Sequence, residues 1–138
     1  MNKWQFEGKD FDLEDHTPVP YGFVYIITHK PSGKKYIGRK FFSMAGYKTV
    51  KGVKKKIRKE SDWQKYYGSS PAIKKLLIDV GPDVFEREIV KLCYNRSSCS
   101  YYETKLIFEK DAILSDQYIN DWVTCKISAM HVNAIKRG

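Results

Sequence analysis

A chain of 138 residues has room for one compact domain. Its 42% apolar content is ample for a core and argues against disorder throughout, and no apolar run approaches the roughly 20 residues of a membrane span. The formal net charge is +9, and 12 of the 25 Lys and Arg residues fall between His16 and Lys59, where there is no Asp or Glu. That block points to a polyanion such as nucleic acid or an anionic surface, with a solubilising basic loop as the alternative.

Residues 1–20 read as an arm. They hold no apolar core, so a signal peptide is not expected. Trp4, Phe6 and Phe11 are expected to pin the arm to the body, and Pro18 and Pro20 hold it extended before the first strand. Phe23–His29 is β-branched and aromatic, a strand by propensity. Lys30-Pro31-Ser32-Gly33 fits a type I turn, and Lys35–Phe42 is the partner strand. With a plain turn at Pro31-Ser32, Tyr25 lies opposite Gly38 and Tyr36 opposite Ile27. Tyr25, Tyr36 and Lys40 then share a face and Arg39 points away, and Gly38 leaves room beside Tyr25 for a phosphate. A bulge at Gly33 would instead shift the register by one and part the tyrosines unless a second bulge compensated; shared chemistry favours the plain turn.

Residues 43–60 carry two glycines and seven basic residues from Lys48 to Lys59. This stretch reads as an exposed loop or irregular hairpin, mobile without ligand. A helical turn is expected at 62–67, with Ser61 as its cap. Ser69 or Ser70 then caps a helix that Pro71 opens and Gly81-Pro82 ends. Val84–Leu92 alternates imperfectly as a third strand. Asn95–Ser100 reads as a polar turn before a long helix from Tyr101 to Ile113. Tyr118–Ile127 is a short strand or helix, and 124–138 is a basic helical extension. The fold class is α+β: a small three-stranded antiparallel sheet flanked by helices. The domain proper is expected to span 21–123. Cys93, Cys99 and Cys125 are odd in number and lack zinc spacing, which suits reduced thiols and a cytoplasmic location.

The Gly22-Phe23-Val24-Tyr25 run and Tyr36-Ile37-Gly38, with tyrosines eleven residues apart, resemble the GIY-YIG nuclease family. Gly68-Ser69-Ser70 before a helix, Val84-Phe85 entering a strand, Glu103 on a helix and Asn120 in Tyr118-Ile119-Asn120 extend the resemblance from Gly22 to Trp122. The Ser61-Asp62-Trp63 to Tyr67-Gly68-Ser69-Ser70 block is similar to small phage-borne, homing-type members. What the resemblance implies is a DNA endonuclease, cytoplasmic in a bacterial host, in which Glu103 binds one Mg²⁺ or Mn²⁺ and Asn120 belongs to the site. The family's usual arginine position falls here on Gly46. Lys40 ranks ahead of Arg58 and Arg39 as its replacement, although a lysine gives up bidentate phosphate contact.

Phosphodiester hydrolysis needs an activated water, neutralised phosphoryl oxygens and help for the leaving oxygen. Tyr25 is the candidate base, or the group that positions the water, and Tyr36 would hold a phosphate oxygen. Lys48, Lys51, Lys54, Lys55, Lys56 and Lys59 would bind the backbone of duplex DNA. Trp63, Tyr66 and Tyr67 can stack on an unpaired base or close the core, and Ser69 and Ser70 complete the binding candidates. The alternatives are a non-catalytic nucleic-acid-binding module and an RNA nuclease. No membrane partner is expected, the oligomeric state is open, and with no separate recognition domain a short or lax target site is expected.

Overall fold

The structure is a computed structural model that describes residues 2–120. The expected C-terminal extension, with Trp122, Cys125 and His131, lies outside the described residues, as does most of the segment expected at Tyr118–Ile127. The strands are β1 (Gln5–Phe6), β2 (Lys9–Asp10), β3 (Gly22–His29), β4 (Lys34–Phe41), β5 (Ser43–Val50), β6 (Val53–Glu60) and β7 (Phe85–Cys93). The helices are α1 (Pro71–Val80) and α2 (Arg96–Glu109). The class is α+β, but the main sheet has five strands in the order β2-β1-β7-β3-β4, not three, and β1 runs parallel to β7. The two extra strands come from the arm. Trp4 and Phe11 are buried, and anchoring them lays β1 along the free edge of β7, with β2 outside it.

β3 and β4 pair with Tyr25 opposite Gly38 and Ile27 opposite Tyr36. The connection is a four-residue loop closed by the Gly33 N–H donating to the His29 carbonyl at 2.8 Å. Lys30 and Gly33 are therefore not a ladder pair, yet the register is the one the plain turn gives. Odd residues of β3 (Phe23, Tyr25, Ile27) pack with the arm, Trp63 and α1, whereas Val24 and Ile26 face α2. Layers on both sides explain why β3 is apolar throughout.

β7 explains its own imperfect alternation. Tyr25 pairs with Ile89 but Val24 with Lys91, so Val90 is a bulge. Before it Phe85, Arg87 and Ile89 point inward. After it the parity inverts, and Leu92 joins the first core while Cys93 joins the second.

Ser70 caps α1, Pro71 opens it, and the chain leaves it through Gly81. α2 begins five residues earlier than the sequence suggests. The polar run is its start: Asn95 Oδ1 accepts from the Ser98 N–H at 2.8 Å. The basic segment 43–60 is also more regular than expected. It forms two eight-residue strands in full register, joined by Lys51-Gly52. Both turn residues have positive φ, the geometry of the tight hairpin turns that match strand twist.

Candidate active site

β4 is the end strand of the sheet, and the site is built around its outer edge. The Phe42 N–H donates to the Tyr21 carbonyl, so the even residues of β4 spend their backbone groups on β3 and the odd ones face outward. Gln117 and Ile119 cover Lys35. Asn120 covers Ile37 with both ends of its amide, Oδ1 accepting from the N–H at 2.9 Å and Nδ2 donating to the carbonyl at 2.8 Å. At the far end Ser61 Oγ donates to the Phe41 carbonyl at 2.6 Å. Arg39 lies between these covers.

On one side of β4 sits a cluster of phenols. The Tyr25 ring centroid lies 6.4 Å from Tyr36 and 6.0 Å from Tyr66, which it meets edge to face. Tyr36 and Ser69 bond through their hydroxyls at 3.0 Å. Lys40 Nζ donates to Asp62 Oδ1 at 2.6 Å and sits 4.1 Å over the Tyr66 ring. Gly68, at φ +90°, brings its backbone against both Tyr25 and Tyr36. That conformation is open to glycine and costly for other residues. The space over Gly38 is not free for a phosphate: a β-carbon there would overlap the Tyr25 ring. The glycine makes room for the tyrosine.

Tyr25 is 1% exposed. Burial raises its pKa well above the usual 10, and the neighbouring Tyr66 and Tyr36 add to the rise. At neutral pH it is a neutral phenol, suited to holding a hydrogen bond and poorly suited to serving as a base. The shift also bears on stability. The unfolded chain ionises this tyrosine near pH 10 while the folded chain keeps it protonated, so stability is full below pH 10 and falls as pH rises toward the folded value. The melting temperature should therefore drop above about pH 10, and Tyr25→Phe should flatten the drop. An equal drop in both proteins would mean that the buried phenol does not cause it.

On the other side of β4, Arg39 Nη1 donates to Glu103 Oε1 at 2.6 Å. Burial raises the Glu103 pKa, with Arg39 opposing the rise, and the carboxylate is near enough to Tyr25 to affect its pKa. Among the described residues there is no group of three or more His, Cys, Asp or Glu able to hold an ion. A lone carboxylate does not fit a protein-caged ion. It does fit Mg²⁺ that keeps several waters and takes other ligands from a substrate phosphate.

The family model described as "Putative endonuclease segE, GIY-YIG domain" matches residues 4–123. The chain belongs to the GIY-YIG nuclease family. No match is found among curated proteins or among solved structures. As a GIY-YIG domain the chain is a nuclease.

Several candidate residues of this GIY-YIG domain sit elsewhere than expected. Arg58 is bound at the root of β6, where its Nη2 donates to the Ser43 carbonyl and hydroxyl and its guanidinium lies over Tyr21. It is a strut there, remote in role from Tyr25. Trp63 and Tyr67 are each 6% exposed, so they close the core and cannot stack on a base. Ser70 is buried as the α1 cap, while Ser69 is exposed beside Tyr36. Asn120 is buried with its amide spent on Ile37, which makes it a positioning residue. His16 stacks on Phe11 and His29 bonds Ser32, so neither reaches the edge.

Two residues have roles that the sequence did not show. Tyr66, expected to stack on a base or close the core, belongs to the phenol cluster. Arg87, which no motif singled out, is 1% exposed. Its guanidinium donates to the carbonyls of Gln64 (3.0 Å), Tyr66 (2.8 Å) and Asn2 (2.6 Å) and lies between the Trp4 and Tyr67 rings. It fixes the turn that presents Tyr66.

Proposed function

We propose that the chain is a metal-dependent DNA endonuclease whose active site straddles the outer edge of β4. The observation that carries this reading is the meeting at one strand edge of a phenol cluster with Lys40 on one side and a half-buried carboxylate, Glu103, on the other. A GIY-YIG domain supplies the nuclease class, and the basic β5–β6 hairpin favours a polyanionic duplex over a small substrate.

Glu103 would hold one Mg²⁺ or Mn²⁺, which when bound supplies Lewis acidity at a phosphoryl or leaving oxygen. Arg39 beside it balances the carboxylate when no cation is present. On the other side Tyr25, neutral and fixed over Gly38, orients Tyr66 through the edge-to-face contact of their rings. Tyr66 and Tyr36 present hydroxyls from the less buried part of the cluster, where they can position a water or a phosphate oxygen. Lys40 stands in for the family's arginine. Its partner Asp62 is exposed, so a phosphate can take the ammonium over at little cost. Asn120 keeps Ile37, and with it the Tyr36-Ile37-Gly38 backbone, in place.

The test is supercoiled plasmid incubated with the purified chain in Mg²⁺ or in EDTA, with single-stranded RNA as a competing substrate. Nicking or linearisation that needs the metal is expected. Binding without cleavage would favour a non-catalytic module, and preferential loss of the RNA would make it an RNA nuclease.

A further inference from the structure

The β5–β6 hairpin distributes its charge in a way that a lysine-rich loop would not. Paired residues in an antiparallel hairpin share a face. Lys48 and Lys55 are directly opposite each other on one face, while Lys54 and Lys56, opposite Thr49 and Tyr47, lie on the other. Lys51 is at the tip. All five are exposed, and among the described residues none is paired with a carboxylate. Like charges placed directly opposite across a ladder destabilise it, so the Lys48–Lys55 pair is a cost within the free protein. Edge protection alone needs charge somewhere on each strand, not two lysines facing each other.

An anion on that face removes the cost, and Lys54 and Lys56 offer a second anion the same charge on the other face. We propose that this ribbon enters the major groove of duplex DNA on edge, with Lys48 and Lys55 toward one phosphate strand and Lys54 and Lys56 toward the other. The major groove is about 12 Å wide and the minor about 6 Å. One sheet layer with its side chains fills about 10 Å, so the ribbon fits the first and not the second. Eight residues extend it by about 27 Å. A ribbon lying flat on the bases would leave one lysine pair in solvent. The root sits at the active site: Ser43 is three residues past Lys40, Glu60 is two before Asp62, and the Ser61 N–H donates to the Phe42 carbonyl at 2.9 Å. A duplex held by the ribbon therefore has its backbone beside the β4 edge. The choice of duplex DNA as ligand rests on the nuclease reading above.

The test measures duplex binding by the full chain in EDTA, as log Kd against log salt concentration. Lys48→Ala/Lys55→Ala and Lys54→Ala/Lys56→Ala should each lower the slope by about 2, at roughly 0.9 per phosphate contact. Lys74→Ala/Lys75→Ala on α1 should leave it unchanged. Methyl green, a major-groove ligand, should compete, and netropsin, a minor-groove ligand, should not. The Lys48→Ala/Lys55→Ala variant should melt no lower than wild type, because it removes two like charges that face each other, whereas Lys54→Ala/Lys56→Ala also gives up the Lys54 contact over the Tyr47 ring. A slope change confined to one face, competition by netropsin alone, or no binding to duplex would overturn the proposal. Binding that follows this pattern in a chain that never cleaves would keep the ribbon and remove the nuclease mechanism. Metal-dependent cleavage with unaltered slopes would do the reverse.

Discussion

Glu103→Gln is expected to lower cleavage in Mg²⁺ at least about 100-fold, the scale seen when one group that stabilises developing charge is removed, while duplex binding in EDTA is kept or strengthened. The substitution preserves shape and removes the charge a cation needs. It also frees Arg39, whose guanidinium then adds to the positive surface. The ion pair is partly open to solvent, with side-chain exposures of 38% and 16%, so its loss should cost no more than about 1 kcal/mol of stability. Arg39→Gln separates the two explanations of any defect. It breaks the same pair but leaves the carboxylate, so metal-dependent activity should survive in large part. Equal loss in both variants would mean that the ion pair matters as structure, and cleavage that persists in Glu103→Gln would remove the metal assignment.

Arg87→Ala should destabilise the fold by about 3–5 kcal/mol, because it empties a buried site between the Trp4 and Tyr67 rings and leaves three partly buried carbonyls without their donor. Against a typical total of about 5–15 kcal/mol this approaches unfolding. Arg87→Lys should recover only part, since an ammonium cannot reproduce the planar fork that reaches the carbonyls of Asn2, Gln64 and Tyr66 together. Chemical denaturation at neutral pH measures both. A loss below about 1 kcal/mol in Arg87→Ala would mean that the turn carrying Tyr66 is held by other contacts.

The legible part of this protein is the part where local chemistry settles geometry. The turn residues between Phe23–His29 and the following strand allowed two registers, and the shared chemistry expected of Tyr25, Tyr36 and Lys40 selected the one that forms. Ser70, Pro71 and Gly81 likewise marked α1. What was not legible depends on distant partners. The bulge at Val90 has no signature of its own, and it inverts the inward parity of β7 midway. Arg87 is buried only because Trp4, Tyr67 and three carbonyls from elsewhere in the chain surround it. Trp63 and Tyr67 next to a basic segment look like stacking residues until the arm folds over them. Gly38 looked like space for a phosphate because its neighbour's ring, which fills that space, comes from the facing strand. The regularity of the hairpin at 43–60 was masked by its charge: the lysines suggested a loop or an irregular hairpin, whereas Lys51-Gly52 and full pairing make a regular ribbon.

The central claim is that one divalent cation binds at Glu103, across the β4 edge from the phenol cluster. A crystal structure with Mn²⁺ and a DNA oligonucleotide, read by anomalous scattering, tests it most directly. The expected result is a manganese peak on the Glu103 carboxylate, with Arg39 displaced from it and a backbone phosphate within reach of Lys40, Tyr36 and Tyr66. A manganese peak away from Glu103, or DNA bound on a surface that leaves the β4 edge bare, would contradict the account.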